Sequence, residues 1–315
     1  MASLSLYEQI GEPVLVLIGP TAIGKTTLSL SLAARFSCEI VGLDSMQIYR
    51  YMDIGTAKAS PEERAFVPHH LIDIVNPDEE YHVARYVEDA AAACRQIIGR
   101  GKTPLLVGGT GLYLKGLEKG LFEIEAKDEA VRLKLKERLA EEGREALFAD
   151  LVRCDPESAG RLHPNDTQRL LRALEIYQVT GKSWSAHLES QEQTPALTRV
   201  LKIGLLGERE ALYGRINLRV RQMVEQGLLD EVRSLQEMGY SPELKSMQAI
   251  GYRHMANYLA GVWEWEEALA LLARDTRRYA KRQLTWFGAD PEVHWFAPED
   301  EKGVAARVSE FFAQQ

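Results

Sequence analysis

The feature that most constrains the fold of this chain is an eight-residue motif close to its amino terminus. The motif comprises Gly19, Pro20, Thr21, Ala22, Ile23, Gly24, Lys25 and Thr26. It matches the phosphate-binding pattern G-x-x-x-x-G-K-[ST], and it lies between an apolar run and a helical pattern, as such a loop requires. Backbone N–H groups of the loop and the helix amino terminus attract phosphate oxygens. We therefore predict a phosphate ligand, with a full charge from Lys25 and a hydroxyl from Thr26 that can bind Mg²⁺.

The motif belongs to a repeating pattern of strands and helices. Short apolar runs predict strands at Val14 to Ile18, Glu39 to Leu43 and Pro104 to Val107, and an alanine-rich stretch predicts a helix from Val83 to Arg100. Such runs, bounded by turn residues, are typical of strands buried on both faces of a parallel sheet. Val200 to Leu206 is again a largely apolar run, which predicts a further strand. The predicted fold class is α/β, a P-loop NTPase-like parallel sheet flanked by helices, with a helical insertion domain.

The insertion is indicated by a change in amino-acid composition beyond Gly120. Residues 126–143 are rich in Lys, Glu, Arg and Leu, which is typical of a solvated helix. Asn165 or Asp166 can cap a further helix that Gly181 can end. We predict the first part of the P-loop core at 1–120, a helical insertion domain at 121–195, and a return to the core with carboxyl-terminal helices at 196–315.

Composition narrows the class of protein and its compartment. Of the 315 residues, 45% are hydrophobic and 27% are charged, as in ordinary soluble proteins. The sequence contains no apolar run of about eighteen residues and no signal-peptide pattern, so we expect neither a membrane span nor secretion. Cys38, Cys94 and Cys154 lie too far apart for a zinc cluster or a small disulfide scaffold, which favours the reducing cytoplasm.

Charge is unevenly distributed along the chain. The formal net charge of -8 argues weakly against a nucleic-acid partner. Between Ala273 and Arg282, however, five basic residues accompany a single acid. Arg274, Arg278 and Arg282 recur every four residues, so a helix would present them as one ridge, with neighbouring apolar groups, including Leu272 and Trp286, packed inward. This pattern predicts either a phosphate-binding surface or a solvated helix face.

Two further segments follow predicted strands. Asp44 comes directly after the second strand, and side chains at the carboxyl ends of parallel strands line the ligand crevice. Its carboxylate could hold Mg²⁺, accept a proton or cap the next segment, and spacing alone leaves these alternatives open. The third strand ends in Gly108, Gly109, Thr110 and Gly111, where glycines permit either a close ligand or a tight turn.

A third candidate segment is a two-sided helix. Arg215 and Arg219 are four residues apart, and Gln222 extends the same stripe. The opposite stripe is apolar and consists of Leu212, Ile216, Val220 and Met223. By pattern alone, the polar stripe is equally consistent with a solvated face and with a functional one. The adjacent pair His69 and His70 is interpreted as structural, because neighbouring residues rarely face one metal.

Taken together, these motifs resemble the tRNA dimethylallyltransferases, also called tRNA isopentenyltransferases. Nine blocks occur in the order typical of that family: GPTAIGKT (19–26), DSMQIY (44–49), MDIGTAK (52–58), PHHLIDI (68–74), LLVGGTGLY (105–113), RLHPNDTQRLLRALEI (161–176), RINLRVRQM (215–223), AIGYRH (249–254) and KRQLTWF (281–287). The chain ends soon after the last block without a Cys/His finger, which resembles the bacterial type. It departs from the family at Gly288, where an arginine is usual.

The resemblance implies an alkylation reaction. A dimethylallyl group would pass from dimethylallyl diphosphate to the exocyclic amine, N6, of the adenine on the 3′ side of a tRNA anticodon, and diphosphate would leave. The P-loop motif, although typical of ATP binding, would hold that diphosphate together with Mg²⁺. The implied catalytic residues are Asp44 as general base, Thr21 near the bridging oxygen and Arg219 on the diphosphate.

The resemblance also implies a set of tRNA contacts. They are Asp44, Ser45, Met46, Gln47, Thr110, Arg132, Gln168, Arg169, Leu170, Leu171, Arg172, Ala249, Ile250, Gly251, Tyr252, Arg253, His254, Lys281, Arg282, Gln283, Leu284, Thr285 and Trp286. The helical insertion would clasp the anticodon stem-loop. We expect a cytoplasmic monomer that binds no membrane.

Three alternatives compete with this interpretation. A P-loop kinase of a small molecule would use the same loop for ATP. An adenylate isopentenyltransferase acting on free AMP would use the same donor, but it would not need the QRLLR and KRQLTW blocks or the insertion. A GTPase-like RNA-binding switch would need a guanine-specifying N-K-x-D, and the sequence has none.

Overall fold

The computed structural model describes residues 9–120, 128–190 and 194–314. The chain divides into two compact units. The first comprises Met1–Lys119 and Pro195–Gln315, and the second comprises Gly120–Thr194. Long segments from both ends of the chain thus build one unit, and the middle of the chain builds the other.

The first unit is organised around a parallel six-stranded sheet. Its strands are β1 (Val14–Ile18), β2 (Cys38–Leu43), β3 (His69–His70), β4 (Thr103–Gly108), β5 (Val200–Leu205) and β6 (Val293–Phe296). They lie in the order β3-β2-β4-β1-β5-β6, and each of these pairings is parallel. Every residue of β1 is buried, because helices cover both of its faces.

Thirteen helices occur in the described residues. In chain order they are α1 (Lys25–Phe36), α2 (Pro61–Phe66), α3 (Val83–Gly99), α4 (Gly111–Lys119), α5 (Glu129–Cys154), α6 (Pro156–Arg161), α7 (Thr167–Thr180), α8 (Trp184–Ser190), α9 (Arg209–Glu225), α10 (Leu228–Glu237), α11 (Tyr252–Leu259), α12 (Trp265–Gly288) and α13 (Glu301–Ala313). Helices α5 to α8 belong to the second unit. No helix among the described residues is long and apolar enough to cross a membrane.

The first unit has two apolar cores. One joins the sheet to α1, α9 and α13, and it includes Leu17, Leu32 and Ile216. The other joins helices α9 to α12 to the segment that follows β2, and it includes Ile48 and Tyr252. Helix α9 contributes apolar residues to both cores, so its apolar face is buried. Its polar face therefore points towards the cavity described below.

The second unit has a small helical core of its own. Leu135, Leu147, Leu151, Leu170 and Leu174 are buried in it. Asp166 is the N-cap of α7, since its carboxylate accepts a hydrogen bond from Arg169 N, and Gly181 ends the helix with a φ of 70°. The helix predicted from 126 to 143 continues instead to Cys154, with a break at Gly143, where φ is 82°. Residues 126 and 127 lie outside the described residues.

The sequence did not predict the two edge strands of the sheet. The strand β3 has two residues and β6 has four, so neither gives a long apolar run. In β3, His70 Nε2 lies 2.7 Å from Glu39 Oε2, and His69 Nδ1 lies 2.7 Å from Val67 O. The histidine pair therefore contributes contacts at the sheet edge.

Candidate active site

The phosphate loop connects β1 to α1 through a chain of unusual backbone conformations. Gly19 and Gly24 have φ values of 151° and 109°, and Ala22 has a φ of 64°. A Cβ at Gly19 would lie 3.0 Å from the carbonyl oxygen of Leu205 in β5, so this position also needs a small residue for space. The loop thus turns sharply at the carboxyl end of the interior strand β1 and leads directly into the amino terminus of α1.

Lys25 folds back over this loop. Its Nζ donates hydrogen bonds to Gly19 O and Pro20 O, both at 2.9 Å. Burial lowers the pKa of Lys25 to about 8; the nearby Asp44 opposes this shift and Arg219 adds to it. A lysine that is this easily deprotonated gains most from an anionic ligand, which restores the preference for the charged form.

The polar stripe of α9 faces the same cavity as Lys25. Arg215, Arg219 and Gln222 line the cavity, whereas Leu212 and Val220 of the opposite stripe are buried. The two-sided helix predicted from the spacing is therefore observed for Leu212, Ile216 and Val220, which are buried, but Met223, which was predicted on the core side, also lines the cavity because it lies at the end of the stripe.

Both arginines lack partners for their guanidinium groups. Arg215 Nε and Nη2 are buried and have no hydrogen-bond partner. Arg219 forms no hydrogen bond or ion pair with the described residues, and burial lowers its pKa against the opposing charge of Asp44. An unpaired buried cation is costly, so these groups favour a ligand with several negative oxygens.

Asp44 combines two of the roles left open by its spacing. Its Oδ1 accepts hydrogen bonds from Met46 N at 2.8 Å and Gln47 N at 3.4 Å, so the carboxylate caps the turn after β2. The residue also lines the cavity, and Oδ2 forms no hydrogen bond with the part of the chain that the structure describes. Thr110 Oγ1 accepts a hydrogen bond from Ser45 N at 3.1 Å and fixes the same turn from β4. One carboxylate oxygen is thus structural and the other is available.

Gln283 of α12 connects the phosphate loop to the end of β4. Its Oε1 accepts a hydrogen bond from Thr21 N and its Nε2 donates one to Gly109 O, both at 3.0 Å. A Cβ at Gly109 would collide with Nε2, and one at Gly111 would collide with the indole of Trp286. The glycines after β4 are therefore required by the close approach of α12.

Tyr279 is a cavity residue that sequence reasoning missed. It lies one helical turn before Gln283 on α12 and lines the same cavity. Burial, together with the charge of Asp44, raises its pKa, so the phenol stays protonated. The signal that could have found it is the i, i+4 spacing to Gln283, once Gln283 is known to face the site.

A second carboxylate, which does not line the cavity itself, holds part of the cavity wall in place. Glu231 of α10 accepts hydrogen bonds from three consecutive backbone N–H groups, of Asp53, Ile54 and Gly55, at 2.8–3.1 Å. Tyr252 donates its hydroxyl to the same carboxylate at 2.6 Å. Glu231 thus holds the backbone of 53–55, and Asp53 and Ile54 line one side of the cavity together with residues 56–58.

The complete cavity lies in the first unit and has a volume of about 960 Å³. Among its charged side chains, Lys58 and Arg64 pair with Asp53 and Asp73, and Glu63 caps α2, whereas Lys25, Arg215 and Arg219 accompany the carboxylate of Asp44 and form no ion pair with the described residues. This excess of positive charge fits a diphosphate. The hydroxyl of Thr26 and the carboxylate of Asp44 are hard oxygen donors of the kind that Mg²⁺ prefers, and Mg²⁺ usually takes few protein ligands and completes its shell with phosphate and water.

Comparison with known proteins identifies the family. A profile of the IPP transferase family matches residues 47–290, and an isopentenyl transferase profile matches residues 12–68. The chain belongs to the IPP transferase family. It is 56% identical over 308 residues to the tRNA dimethylallyltransferase of Desulfotalea psychrophila, covering 98% of each chain.

Solved structures agree with this assignment. The transferase is similar to the tRNA isopentenylpyrophosphate transferase of Bacillus halodurans, with 41% identity, a TM-score of 0.70 and coverage of 96% of this chain and 99% of that one. It is also similar to a eukaryotic dimethylallyltransferase described as acting on tRNA, with 30% identity, a TM-score of 0.81 and coverage of 97% and 80%. The predicted family and fold class are confirmed.

The predicted RNA contacts of the first unit divide by exposure. In the transferase, the exposed ones on α12 are Lys281, Arg282, Thr285 and Trp286. The buried ones are Gly251, Tyr252, His254 and Gln283, whose side chains or backbone serve the interior. The intermediate ones are Ser45, Met46, Gln47, Thr110, Ala249, Ile250, Arg253 and Leu284. The prediction that Trp286 packs inward is wrong: the side chain lies over Gly111 and is 40% exposed, whereas Leu272 is buried.

The second unit carries the remaining predicted contacts. Gln168 and Arg169 are exposed on α7, Leu171 is half-buried and Leu170 is in the core. Arg132 and Arg172 both donate hydrogen bonds to Glu175 Oε2, at 3.1 and 3.0 Å. The resemblance implies these two arginines as RNA contacts, and the structure adds that one buried carboxylate holds both.

Proposed function

We propose that this transferase moves a dimethylallyl group from dimethylallyl diphosphate to N6 of the adenine on the 3′ side of a tRNA anticodon and releases diphosphate. The observation that carries the proposal is the charge arrangement of the cavity: Lys25, Arg215 and Arg219 surround a phosphate loop and face one available carboxylate oxygen of Asp44. Family membership supplies the chemistry, and the cavity supplies groups of the required kinds.

The cationic side of the cavity would bind the donor and stabilise its departure. As the carbon–oxygen bond breaks, negative charge grows on the diphosphate, and donors already aimed at that charge lower the barrier. Lys25 and Arg219 would supply most of this effect, since both are buried and neither has to give up an ion pair. The Thr21 hydroxyl is proposed to face the bridging oxygen, because Gln283 holds the Thr21 backbone N–H in place.

Mg²⁺ is part of the proposal. The Thr26 hydroxyl would hold it beside the diphosphate, where its charge would offset that of the leaving group, and the free oxygen of Asp44 would remain available for the proton.

Asp44 is proposed as the general base. An adenine exocyclic amine is a weak nucleophile, because its lone pair is delocalised into the ring, and it must lose a proton during alkylation. The turn that holds Oδ1 leaves Oδ2 to accept that proton. Tyr279, protonated beside Asp44, would donate a hydrogen bond within the site and would not compete as a base.

The acceptor base must leave its stack to reach this cavity. Enzymes that modify bases extrude them into a pocket, and single-stranded loops are where RNA sequence is accessible to proteins. Exposed groups of α12 and α7 are proposed to hold the anticodon stem-loop. We place the reaction in the cytoplasm and assign it to a monomer that binds no membrane.

The alternatives are not favoured. A small-molecule kinase or an AMP-directed prenyltransferase would not be expected to match tRNA-modifying relatives along almost its whole length.

The proposal is tested by incubating the chain with unmodified tRNA and dimethylallyl diphosphate, followed by nucleoside analysis. We expect N6-dimethylallyladenosine from tRNA and none from AMP. Prenylation of AMP, or ATP turnover that needs neither substrate, would contradict it.

A further inference from the structure

A largely buried aspartate lies within the most basic stretch of α12. Asp275 contacts three guanidinium groups, those of Arg253 on α11 and of Arg274 and Arg278 on α12. Arg253 donates to Oδ2, while Arg274 Nε and Arg278 Nη1 lie 3.0 and 3.7 Å from Oδ1. The arginine side chains are 35%, 45% and 63% exposed, whereas that of Asp275 is 12% exposed. The carboxylate therefore lies beneath the protein surface, and the three guanidinium groups cover it on the solvent side.

The fourth neighbour of Asp275 is uncharged. His254 Nε2 lies 3.4 Å from Asp275 Oδ2, and Nδ1 accepts a hydrogen bond from Gly251 N. Burial, together with the charge of Arg253, lowers the pKa of His254 to about 4, so the imidazole is neutral at pH 7. Three positive charges and one negative charge leave the group with a net charge of about +2 at neutral pH.

A carboxylate at this position has two opposing effects on a polyanion. Its charge repels phosphate, which by itself would weaken binding. It also orders three long side chains whose like charges would otherwise drive them apart. Because these side chains are already ordered, binding loses less conformational entropy. A guanidinium held on one edge still presents its remaining N–H groups to a phosphate oxygen.

The same device occurs in the second unit. The side chain of Glu175 is 3% exposed, and its Oε2 accepts hydrogen bonds from Arg132 and Arg172. Each unit therefore places a buried carboxylate beneath surface arginines, which is unexpected for ordinary solvated ion pairs.

We infer that Asp275 is a positioning residue that arranges Arg253, Arg274 and Arg278 as a receptor for the phosphate backbone of tRNA. The inference rests on the proposed function, because tRNA is the polyanion concerned. Asp275 does not touch the donor, since it is not among the residues that line the cavity.

The inference and the net charge predict opposite changes in tRNA affinity when Asp275 is neutralised. Asp275→Asn keeps the shape of the side chain and changes the net charge from -8 to -7, because one of 46 acidic residues is lost. Simple attraction then predicts tighter binding of tRNA. If Asp275 acts by ordering the arginines, the tRNA Kd should instead rise, by about two- to tenfold for each arginine that loses its order, less the gain from removing one negative charge.

The experiment measures tRNA Kd across a salt series, and the donor KM beside it, for the full chain. Glu267→Gln is the matched control: it makes the same charge change on the same helix, and Glu267 is exposed and pairs with none of the described residues. We expect Asp275→Asn to weaken tRNA binding with an unchanged donor KM, and Glu267→Gln to leave both unchanged. In an Arg274→Ala background, the effect of Asp275→Asn should shrink.

Three results would overturn the inference. Equal or tighter tRNA binding by Asp275→Asn would show that the charge matters more than the ordering. Loss of donor binding together with a lower Tm would show that Asp275 supports the fold. An effect of the same size in the Arg274→Ala background would show that it does not act through that arginine. Failure of the unmodified chain to bind tRNA is a different result, which would refute the proposed function itself.

Discussion

Lys25 makes the pH dependence of donor use a direct test of the site. Its pKa of about 8 lies far below its ordinary value of 10.5, mainly because the side chain is buried. With this value, about nine-tenths of the molecules carry a charged Lys25 at pH 7 and about one-tenth do at pH 9. If the charged form is needed to bind the diphosphate, kcat/KM for the donor should fall about tenfold between these pH values.

The assay is single-substrate kinetics with saturating tRNA and varied donor from pH 6 to 10. The pH profile of kcat/KM reports the ionisation of the free enzyme, in which Lys25 has its lowered pKa. Lys25→Arg should abolish the fall near pH 8, because a guanidinium remains charged throughout. Lys58→Arg is the control, since Lys58 lines the same cavity but is ion-paired with Asp53 and Asp73. A fall near pH 8 that persists in Lys25→Arg, or a flat profile in the unmodified chain, would refute the reasoning.

The same pKa has a consequence for stability. In the unfolded chain the pKa of Lys25 is near 10.5, so the folded state binds fewer protons between pH 8 and 10.5. Charged Lys25 therefore opposes folding below pH 8, and this opposition lessens as the pH rises through that window. Lys25→Met should remove the dependence, and thermal unfolding at pH 7 and pH 9.5 would measure it.

Three further predictions follow from the site. Asp44→Asn should bind both substrates but lower single-turnover rates by about 10² to 10⁴-fold, because an amide cannot accept the proton; near-normal chemistry would disprove the assignment. Arg219→Ala should raise the donor KM and slow chemistry while leaving tRNA Kd unchanged, since the residue faces the phosphate loop; a collapse of tRNA affinity alone would place it on the other substrate. Neutralising Lys281 and Arg282 together should reduce the slope of log Kd against log salt by about one to two, given about 0.7–0.9 per phosphate contact; parallel lines would mean that this face does not meet RNA.

The sequence predicted those parts of the site that repeat along one element. The phosphate loop follows a run of five buried residues, and the two faces of α9 follow its helical period, so both were visible in the order of residues. The periodicity of α12 likewise predicted its arginine ridge. It failed at Trp286, because the glycine at position 111 opens a surface on which an indole can rest without being enclosed.

Contacts between distant segments were beyond this reasoning. Gln283 meets Thr21 across 262 positions, and Glu231 meets the 53–55 backbone across about 177. The residues next to a polar side chain in the sequence do not indicate from which distant N–H group that side chain will accept a hydrogen bond. Tyr279 was missed for a related reason, because its spacing to Gln283 is informative only once the distant contact between Gln283 and Thr21 is known.

The hydrogen bonds of Gln283 also bear on how the chain acquires its site during synthesis. β1 pairs with β5, about 185 residues later, and the Thr21 backbone N–H meets its acceptor only when α12 has formed. A ribosome adds residues in order from the amino terminus. The phosphate loop, although made first, should therefore stay incomplete until nearly the whole chain has emerged, and a nascent chain that stops before α12 should not bind diphosphate tightly.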